Sequence, residues 1–234
     1  MTDKEIMESP KTLARIAAVL FLIIFIQGIS AEVFIRQNIF VPEDATTTVS
    51  NIIASESLFR VSIVSDLIRQ MFLVLLALVL YRLLKSVNKN VAGLMVIFVL
   101  ISVPITMLNE LNYFAALLLS TGADYLTASG ADQLQTLVMF FIKLAEYGSY
   151  ISGVFSLWIL LLGYLVFKSG FVPRFFGIWL MIGGVCYPLQ AALFYLYPNL
   201  DAIILGLFAF AGELLFYLWL LIKGVKITQM ENLK

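Results

Sequence analysis

Several charged and amide side chains interrupt the long apolar stretches of this 234-residue chain. They are Asp66, Arg69, Asn109, Glu110, Asn112, Lys143, Glu146 and Glu213. An ionised side chain near the centre of a bilayer costs at least about 2.5–3.5 kcal/mol, so such residues usually have a partner or a role. We therefore take this set as the candidate ligand- or ion-binding residues.

Two pairs in this set are spaced so that they can neutralise themselves. Asp66 and Arg69 are three residues apart, as are Lys143 and Glu146, and residues at that spacing share a helix face. A structural pair that fixes helix register is the favoured interpretation of both. A direct role in ligand binding is the alternative for each pair.

Glu110 and Glu213 have no base at a neighbouring helical position. Each needs a base from another helix, a bound cation or a proton, which makes both carboxyls candidates for proton or cation coupling. Asn109 and Asn112 share a helix face, from which Glu110 is rotated by about 100°. Glu32, in contrast, is interpreted as a residue of the water interface.

Composition places these residues in a membrane. Apolar residues make up 62% of the chain and charged residues 13%, against about 45–50% and 25% in soluble domains. The net charge is zero, which excludes the basic surface of a nucleic-acid-binding protein. The chain has no histidine and one cysteine, Cys186, which excludes a disulfide framework and histidine-based catalytic pairs. We expect no cofactor and no metal.

Six apolar stretches are long enough to cross a bilayer about 30 Å thick as helices. They run approximately over Leu13–Ala31, Ile63–Leu84, Val91–Leu119, Leu134–Phe167, Phe175–Tyr197 and Ala202–Lys223. The predicted fold is therefore an all-α membrane bundle of six transmembrane helices, in a single domain over residues 1–234. The fourth stretch is long enough to tilt or to extend past the membrane.

Most of the 15 lysines and arginines lie before the first span, after the second and fourth spans, or after the sixth. This bias predicts cytoplasmic N- and C-termini and a multi-pass protein of the inner cell membrane. Arg36 is the one firm base among the connections on the other side. In the outer segment 37–57, Asp44 is a good N-cap, which predicts an interfacial helix or an outward extension of span two.

Prolines interrupt spans three and five. Pro188, in the segment Gly183–Gln190, marks the better candidate for a broken helix that lines a cavity, with an ordinary proline kink as the alternative. The hairpins that join spans two to three and four to five also resemble each other weakly. Tyr81, Lys85 and Pro104 are echoed by Tyr164, Lys168 and Pro188, which is consistent with a parallel repeat.

Several segments are similar to a known family. They are Ala54–Arg60 with Ile63–Leu67, Gly122–Leu126, Lys168–Arg174, and Gly212–Leu214 ahead of Trp219–Gly224. They resemble the bacterial membrane proteins grouped as domain of unknown function 4386. The resemblance implies a six-span prokaryotic inner-membrane protein and supplies no activity. The segments that carry the resemblance contain Arg60, Asp66, Asp124, Tyr125 and Glu213.

We predict that the protein is not an enzyme and that it binds or transports a small solute or ion through an outward-facing polar pocket. Its expected partners are the lipid bilayer and a small solute, a proton or a cation, with no nucleic acid; no protein partner is identified. The alternative is a non-catalytic membrane scaffold or accessory subunit whose charges pair internally. An intramembrane enzyme is the weakest hypothesis, because Lys143 and Ser149 are too far apart along a helix to form a catalytic dyad.

Overall fold

A computed structural model describes residues 9–122, 130–197 and 199–225, and all regular elements in these ranges are helical. The elements are α1 (Pro10–Ile29), a π-helical segment (Ser30–Arg36), α2 (Gln37–Ile39), α3 (Ala45–Ala54), α4 (Glu56–Leu84), α5 (Lys89–Thr121), α6 (Ala131–Val154), α7 (Leu157–Ser169), α8 (Arg174–Leu196) and α9 (Ile203–Ile222). The all-α prediction is confirmed. Asp124 and Tyr125 lie outside the described residues.

Six helical stretches in the described part are long and apolar enough to cross a membrane. They are Pro10–Ile39, Glu56–Leu84, Lys89–Thr121, Ala131–Ser169, Arg174–Leu196 and Ile203–Ile222. They correspond one to one to the six predicted spans, so the chain is a multi-span helical membrane protein. Some helices extend beyond the apolar stretches, because a helix continues through polar residues where hydropathy no longer marks it. The direction in which they cross the membrane stays a prediction from the charge distribution.

The segment before the second span forms a helix of its own. Oδ1 of Asp44 accepts a hydrogen bond from the backbone N–H of Thr47 at 2.9 Å, and Oδ2 accepts one from the Thr47 hydroxyl at 2.6 Å. The predicted N-cap is therefore confirmed. Helix α3 ends at Ala54, and Ser55 leaves helical geometry with φ −115° and ψ 26°, so α3 is not an extension of span two.

The fourth span is interrupted where the sequence carries no proline. The backbone N–H groups of Phe155 and Ser156 donate to the carbonyls three residues before them, at 3.0 and 3.1 Å, and this tight turn separates α6 from α7. Helix α8, in contrast, runs through Pro188. The interpretation of Gly183–Gln190 as a broken helix is therefore wrong. Proline removes one intrahelical hydrogen bond, and α8 remains a helix on both sides of it.

The chain divides into two compact units. The first unit comprises the described parts of Met1–Ile23, Phe72–Val103 and Tyr150–Lys234, and the second comprises the described parts of Ile24–Met71 and Pro104–Ser149. In the first unit α8 packs against α7 and α9. The approach of α7 and α8 depends on glycine, because a Cβ at Gly177 would lie 2.6 Å from the backbone nitrogen of Phe167.

The second unit has a core of its own. Its buried residues are Ile39, Ile52, Phe59, Ile63, Tyr113, Ala116, Leu117, Val138, Ile142 and Ala145. They come from α2, α3, α4, α5 and α6. The rings of Phe40 and Tyr113 stack with their centroids 6.0 Å apart, and Phe59 meets Tyr113 edge-on. This aromatic group lies beside the charged residues described next, since the guanidinium of Arg36 lies over the ring of Tyr113.

Candidate ligand-binding site

The site is built around the π-helical segment that continues α1. Seven residues, Ser30–Arg36, adopt this conformation, which is rare and is found frequently at functional sites. The segment carries Glu32 and Arg36, separated by four residues. Arg36, expected from the sequence in the outer connection, is buried. Its guanidinium is therefore held among other side chains of the second unit.

The guanidinium of Arg36 is shared by two carboxylates from other helices. Its NH2 nitrogen lies 2.7 Å from Oδ2 of Asp66 on α4 and 2.9 Å from Oε2 of Glu110 on α5. The three side chains are 7%, 2% and 6% exposed, respectively. Charge-assisted contacts of this length between desolvated groups are strong, and breaking one leaves an uncompensated buried charge.

Three further contacts involve Arg36 or its partner Asp66. Nε of Arg69 donates to Oδ1 of Asp66 at 2.7 Å, so Asp66 is held by two arginines. The NH1 nitrogen of Arg36 lies 3.8 Å from Oε2 of Glu32. The guanidinium also lies over the ring of Tyr113, 4.0 Å from its centroid, in the geometry of a cation–π contact.

We call Glu32, Arg36, Asp66, Arg69 and Glu110 the Arg36 cluster. With all groups ionised, its three carboxylates and two guanidiniums carry a formal charge of −1. The four members other than Glu32 sum to zero. Glu32 is 55% exposed, so the uncompensated negative charge belongs to the most accessible member.

The inner part of the cluster is not fully satisfied. Nε of Arg36 is buried and has no hydrogen-bond partner, and Oδ2 of Asp66 has its ion-pair contact with Arg36 but no hydrogen bond. Buried polar atoms are almost always hydrogen-bonded in folded proteins. Nε of Arg36 can therefore donate, and Oδ2 of Asp66 accept, one further hydrogen bond.

The candidate amides serve to join two helices. Nδ2 of Asn109 on α5 donates to the backbone carbonyl of Ala145 on α6 at 2.8 Å, and its Oδ1 accepts from Nδ2 of Asn112 at 3.0 Å. The side chain of Asn109 occupies the space that a Cβ at Gly148 would need. These contacts hold α5 against α6 close to Glu110 along the chain.

Lys143 and Glu146 form the pair expected from their spacing, with Nζ and Oε2 2.9 Å apart and both side chains about half exposed. Asp66 and Arg69 form the other expected pair. Of the eight candidates, the described contacts bring Asp66, Arg69 and Glu110 into one cluster. The remaining pairs make contacts of their own.

Glu213 belongs to the first unit and has a different environment. Its side chain is buried, and its Oε1 accepts a hydrogen bond from the hydroxyl of Tyr187 at 2.9 Å. Among the described residues no base lies within ion-pair distance of it. The hydroxyl of Tyr217, one helical turn away, is buried without a hydrogen-bond partner. This carboxyl is held by a hydroxyl and not by a cation.

Sequence reasoning missed Arg36, the residue at the centre of the site, and treated Glu32 as interfacial. Two signals pointed to them. Arg36 is the one firm base among the predicted outer connections, and Glu32 precedes it by four residues, at the spacing of a helical ion pair. For Glu110 the sequence left a base from another helix, a bound cation or a proton as alternatives, and the structure places the guanidinium of Arg36 on it.

Comparison with known proteins shows the family but no activity. Residues 16–224 match the sequence profile described as Domain of unknown function (DUF4386). An uncharacterized protein from Archaeoglobus fulgidus is 32% identical over 159 residues, which cover 68% of this chain and 81% of the relative. No solved structure matches. Because that relative is archaeal, a bacterial origin for this chain stays a prediction. The chain belongs to the DUF4386 family.

Proposed function

We propose that this protein binds a small solute or ion at the Arg36 cluster and carries it across the inner cell membrane without catalysing a reaction. One observation carries the proposal. A buried guanidinium holds carboxylates from two other helices, while the excess negative charge lies on the accessible Glu32. A site of this kind attracts a cation or a proton.

The charge of the cluster defines the class of ligand. Its formal charge of −1 is neutralised by one proton or one monovalent cation. Glu32 is the entry point, because its carboxylate is half exposed and its contact with Arg36, at 3.8 Å, is the longest in the cluster. A cation bound to Glu32 weakens the contact between Glu32 and Arg36, so that Arg36 interacts with Asp66 and Glu110 alone.

The π-helical segment supplies the part that moves. A π turn contains one extra residue, and a shift of that residue along the helix changes the direction in which the following side chains point. Arg36 is the last residue of the segment. Ligand binding at Glu32 thereby changes the direction in which Arg36 points. Because Arg36 contacts Asp66 on α4 and Glu110 on α5, ligand binding also changes how these two helices pack.

Thermal unfolding of the detergent-purified protein tests the binding step. Sodium, potassium, methylammonium and guanidinium chlorides are compared at constant ionic strength. We expect at least one of these cations to raise the Tm of the wild type, because a ligand that binds only the folded state stabilises it. The shift should be lost in Glu32→Gln and Glu110→Gln and retained in Asp132→Asn, a control at an exposed helix start.

A membrane scaffold or accessory subunit is the second candidate. The net charge of Arg36, Asp66, Arg69 and Glu110 is zero, which favours this function. These four side chains can stabilise the packing of the helices without binding a ligand. In that case no cation changes the Tm of the wild type, and the variants are only less stable. The same experiment therefore separates the two functions.

A further inference from the structure

Two grooves run along opposite sides of an exposed ridge on α4. The ridge consists of Arg60, Val61, Val64 and Ile68, which are exposed at helical spacing. One groove, of about 300 Å³, reaches Gln27. The other, of about 310 Å³, is closed by side chains of α5. Arg60 and Val64 line both grooves, so the grooves share one charged end.

The linings of both grooves are mainly apolar. On the α5 side, Leu67, Leu111 and Phe114 are among seven apolar lining residues, with Arg60 and Glu110 as the polar ones. Arg60 and Ile68 are eight residues apart, which corresponds to about 12 Å along a helix. Both grooves belong to membrane-spanning stretches. Two mainly apolar channels that meet at Arg60 match a lipid with two hydrocarbon chains and one headgroup.

The charged end is a pair and not a single base. Nε and NH2 of Arg60 both lie 2.8 Å from Oε1 of Glu56, and both side chains are about half exposed. The second carboxylate oxygen of Glu56 takes no part in these contacts. The accessible end of the ridge therefore presents one positive and one negative group, one helical turn apart.

We propose that the ridge of α4 is a binding site for phosphatidylethanolamine, with one hydrocarbon chain in each groove, the phosphate on Arg60 and the ammonium on Glu56. The guanidinium of arginine is suited to bind phosphate oxygens. The ammonium of ethanolamine has three N–H donors for the carboxylate, as a lysine has. Choline has no N–H to donate, and an anionic glycerol headgroup places no cation near Glu56.

This site adjoins the ligand site proposed above and shares Glu110 with it. It needs neither Arg36 nor Glu32, and it can bind lipid in a protein that transports nothing. Glu110 lines one groove, so a hydrocarbon chain there also covers that carboxyl from the membrane side. The lipid is thus a structural partner of α4 and α5.

Native mass spectrometry of the delipidated protein tests the proposal. Matched dioleoyl lipids with ethanolamine, choline and glycerol headgroups are added in turn. We expect about tenfold tighter binding of the ethanolamine lipid, the ratio that corresponds to one charge-assisted hydrogen bond. Arg60→Gln removes the contact with the phosphate that all three lipids carry and should weaken the binding of each. Glu56→Gln should remove the preference for the ethanolamine lipid over the choline lipid. Arg82→Gln, at the other end of the same helix, should leave it unchanged.

A groove variant keeps the test decisive if the charge variants fold poorly. Val64→Trp places a large ring at the position that both grooves share, and should weaken binding of all three lipids. Val185→Trp, an exposed position on α8, is the matched control. Equal binding of the three headgroups, or a preference for the anionic one, would overturn the proposal.

Discussion

Each of the two units contains a buried carboxyl group, and the two groups have different partners. In the second unit Glu110 meets the guanidinium of Arg36 at 2.9 Å and shares it with Asp66. In the first unit Glu213 meets the hydroxyl of Tyr187 at the same distance. The contact lengths agree, but only one of the two partners carries a charge.

Glu110 is therefore stabilised by an ion pair, and Glu213 by a hydrogen bond to a neutral group. A carboxylate that shares a guanidinium depends on it, because loss of that partner leaves a charge in low dielectric. A carboxyl whose partner is a hydroxyl can be replaced by an amide that still accepts the same hydrogen bond. The second unit is therefore expected to be the more sensitive one to changes of charge.

The largest effect is expected from Arg36→Ala. It leaves Glu110 without a base and Asp66 with Arg69 alone, and breaking a buried pair in this way costs about 3–5 kcal/mol. The free energy of unfolding in mixed micelles measures the loss. Arg82→Ala, at an exposed position of α4, should change it by less than about 0.5 kcal/mol. Equal losses in the two variants would mean that the cluster does not stabilise the fold.

The next test compares the two carboxyls directly. Glu110→Gln keeps an acceptor for Arg36 but loses the negative charge opposite the guanidinium, and should lower the free energy of unfolding by about 1.5–3 kcal/mol, the range for a hydrogen bond to a charged group. Glu213→Gln keeps an acceptor for Tyr187 and breaks no ion pair, so its unfolding free energy should be unchanged or higher. Parallel denaturant titrations provide both values. A larger loss in Glu213→Gln would reverse the comparison.

Packing around the amides should give a smaller effect. In Gly148→Ala the new Cβ meets the side chain of Asn109, and overpacking of this kind costs about 1–3 kcal/mol. Apart from its own helix backbone, Gly93 has no atom within 4 Å of its would-be Cβ, so Gly93→Ala should instead stabilise its helix by about 0.5–1 kcal/mol. The same unfolding assay checks whether the two substitutions have opposite signs.

The smallest effect is expected at Asp44, which lies outside the membrane-spanning stretches. Hydrogen bonds from Thr47 lower the pKa of this carboxyl below its ordinary value of 3.8. Because the pKa is lower in the folded state, the stabilisation is present above pH 3.8 and is lost as the pH falls through the folded value. Asp44→Asn still caps the helix and should remove this acid dependence, as circular dichroism against pH would show.

Local features of this fold could be predicted from the sequence. Mean hydropathy is enough to locate the six spans, because each must present about 20 apolar residues to lipid. The pairs Asp66–Arg69 and Lys143–Glu146 follow from the geometry of a single helix, and so does the Asp44 cap. Each of these depends only on residues close together in the chain.

The site itself could not be predicted in this way. Arg36 and Glu110 are 74 residues apart. Their contact depends on how three helices are rotated about their axes. A membrane helix that is apolar on all sides gives no sequence pattern from which that rotation can be predicted. The π-helical segment has no recognised sequence signature in Ser30–Arg36, and the break at Phe155 and Ser156 has no proline to mark it. Packing between helices, and not local preference, decides these features.

Ion flux into proteoliposomes measures whether the protein carries a cation across a membrane. Vesicles that contain the purified protein and a dye sensitive to the ion tested are given, in turn, a proton, sodium or methylammonium gradient. We expect the wild type to dissipate at least one of these gradients faster than empty vesicles do, Glu32→Gln to abolish the flux, and Asp132→Asn to keep it. Wild-type flux equal to that of empty vesicles for every gradient, or full flux in Glu32→Gln, would contradict the proposed function.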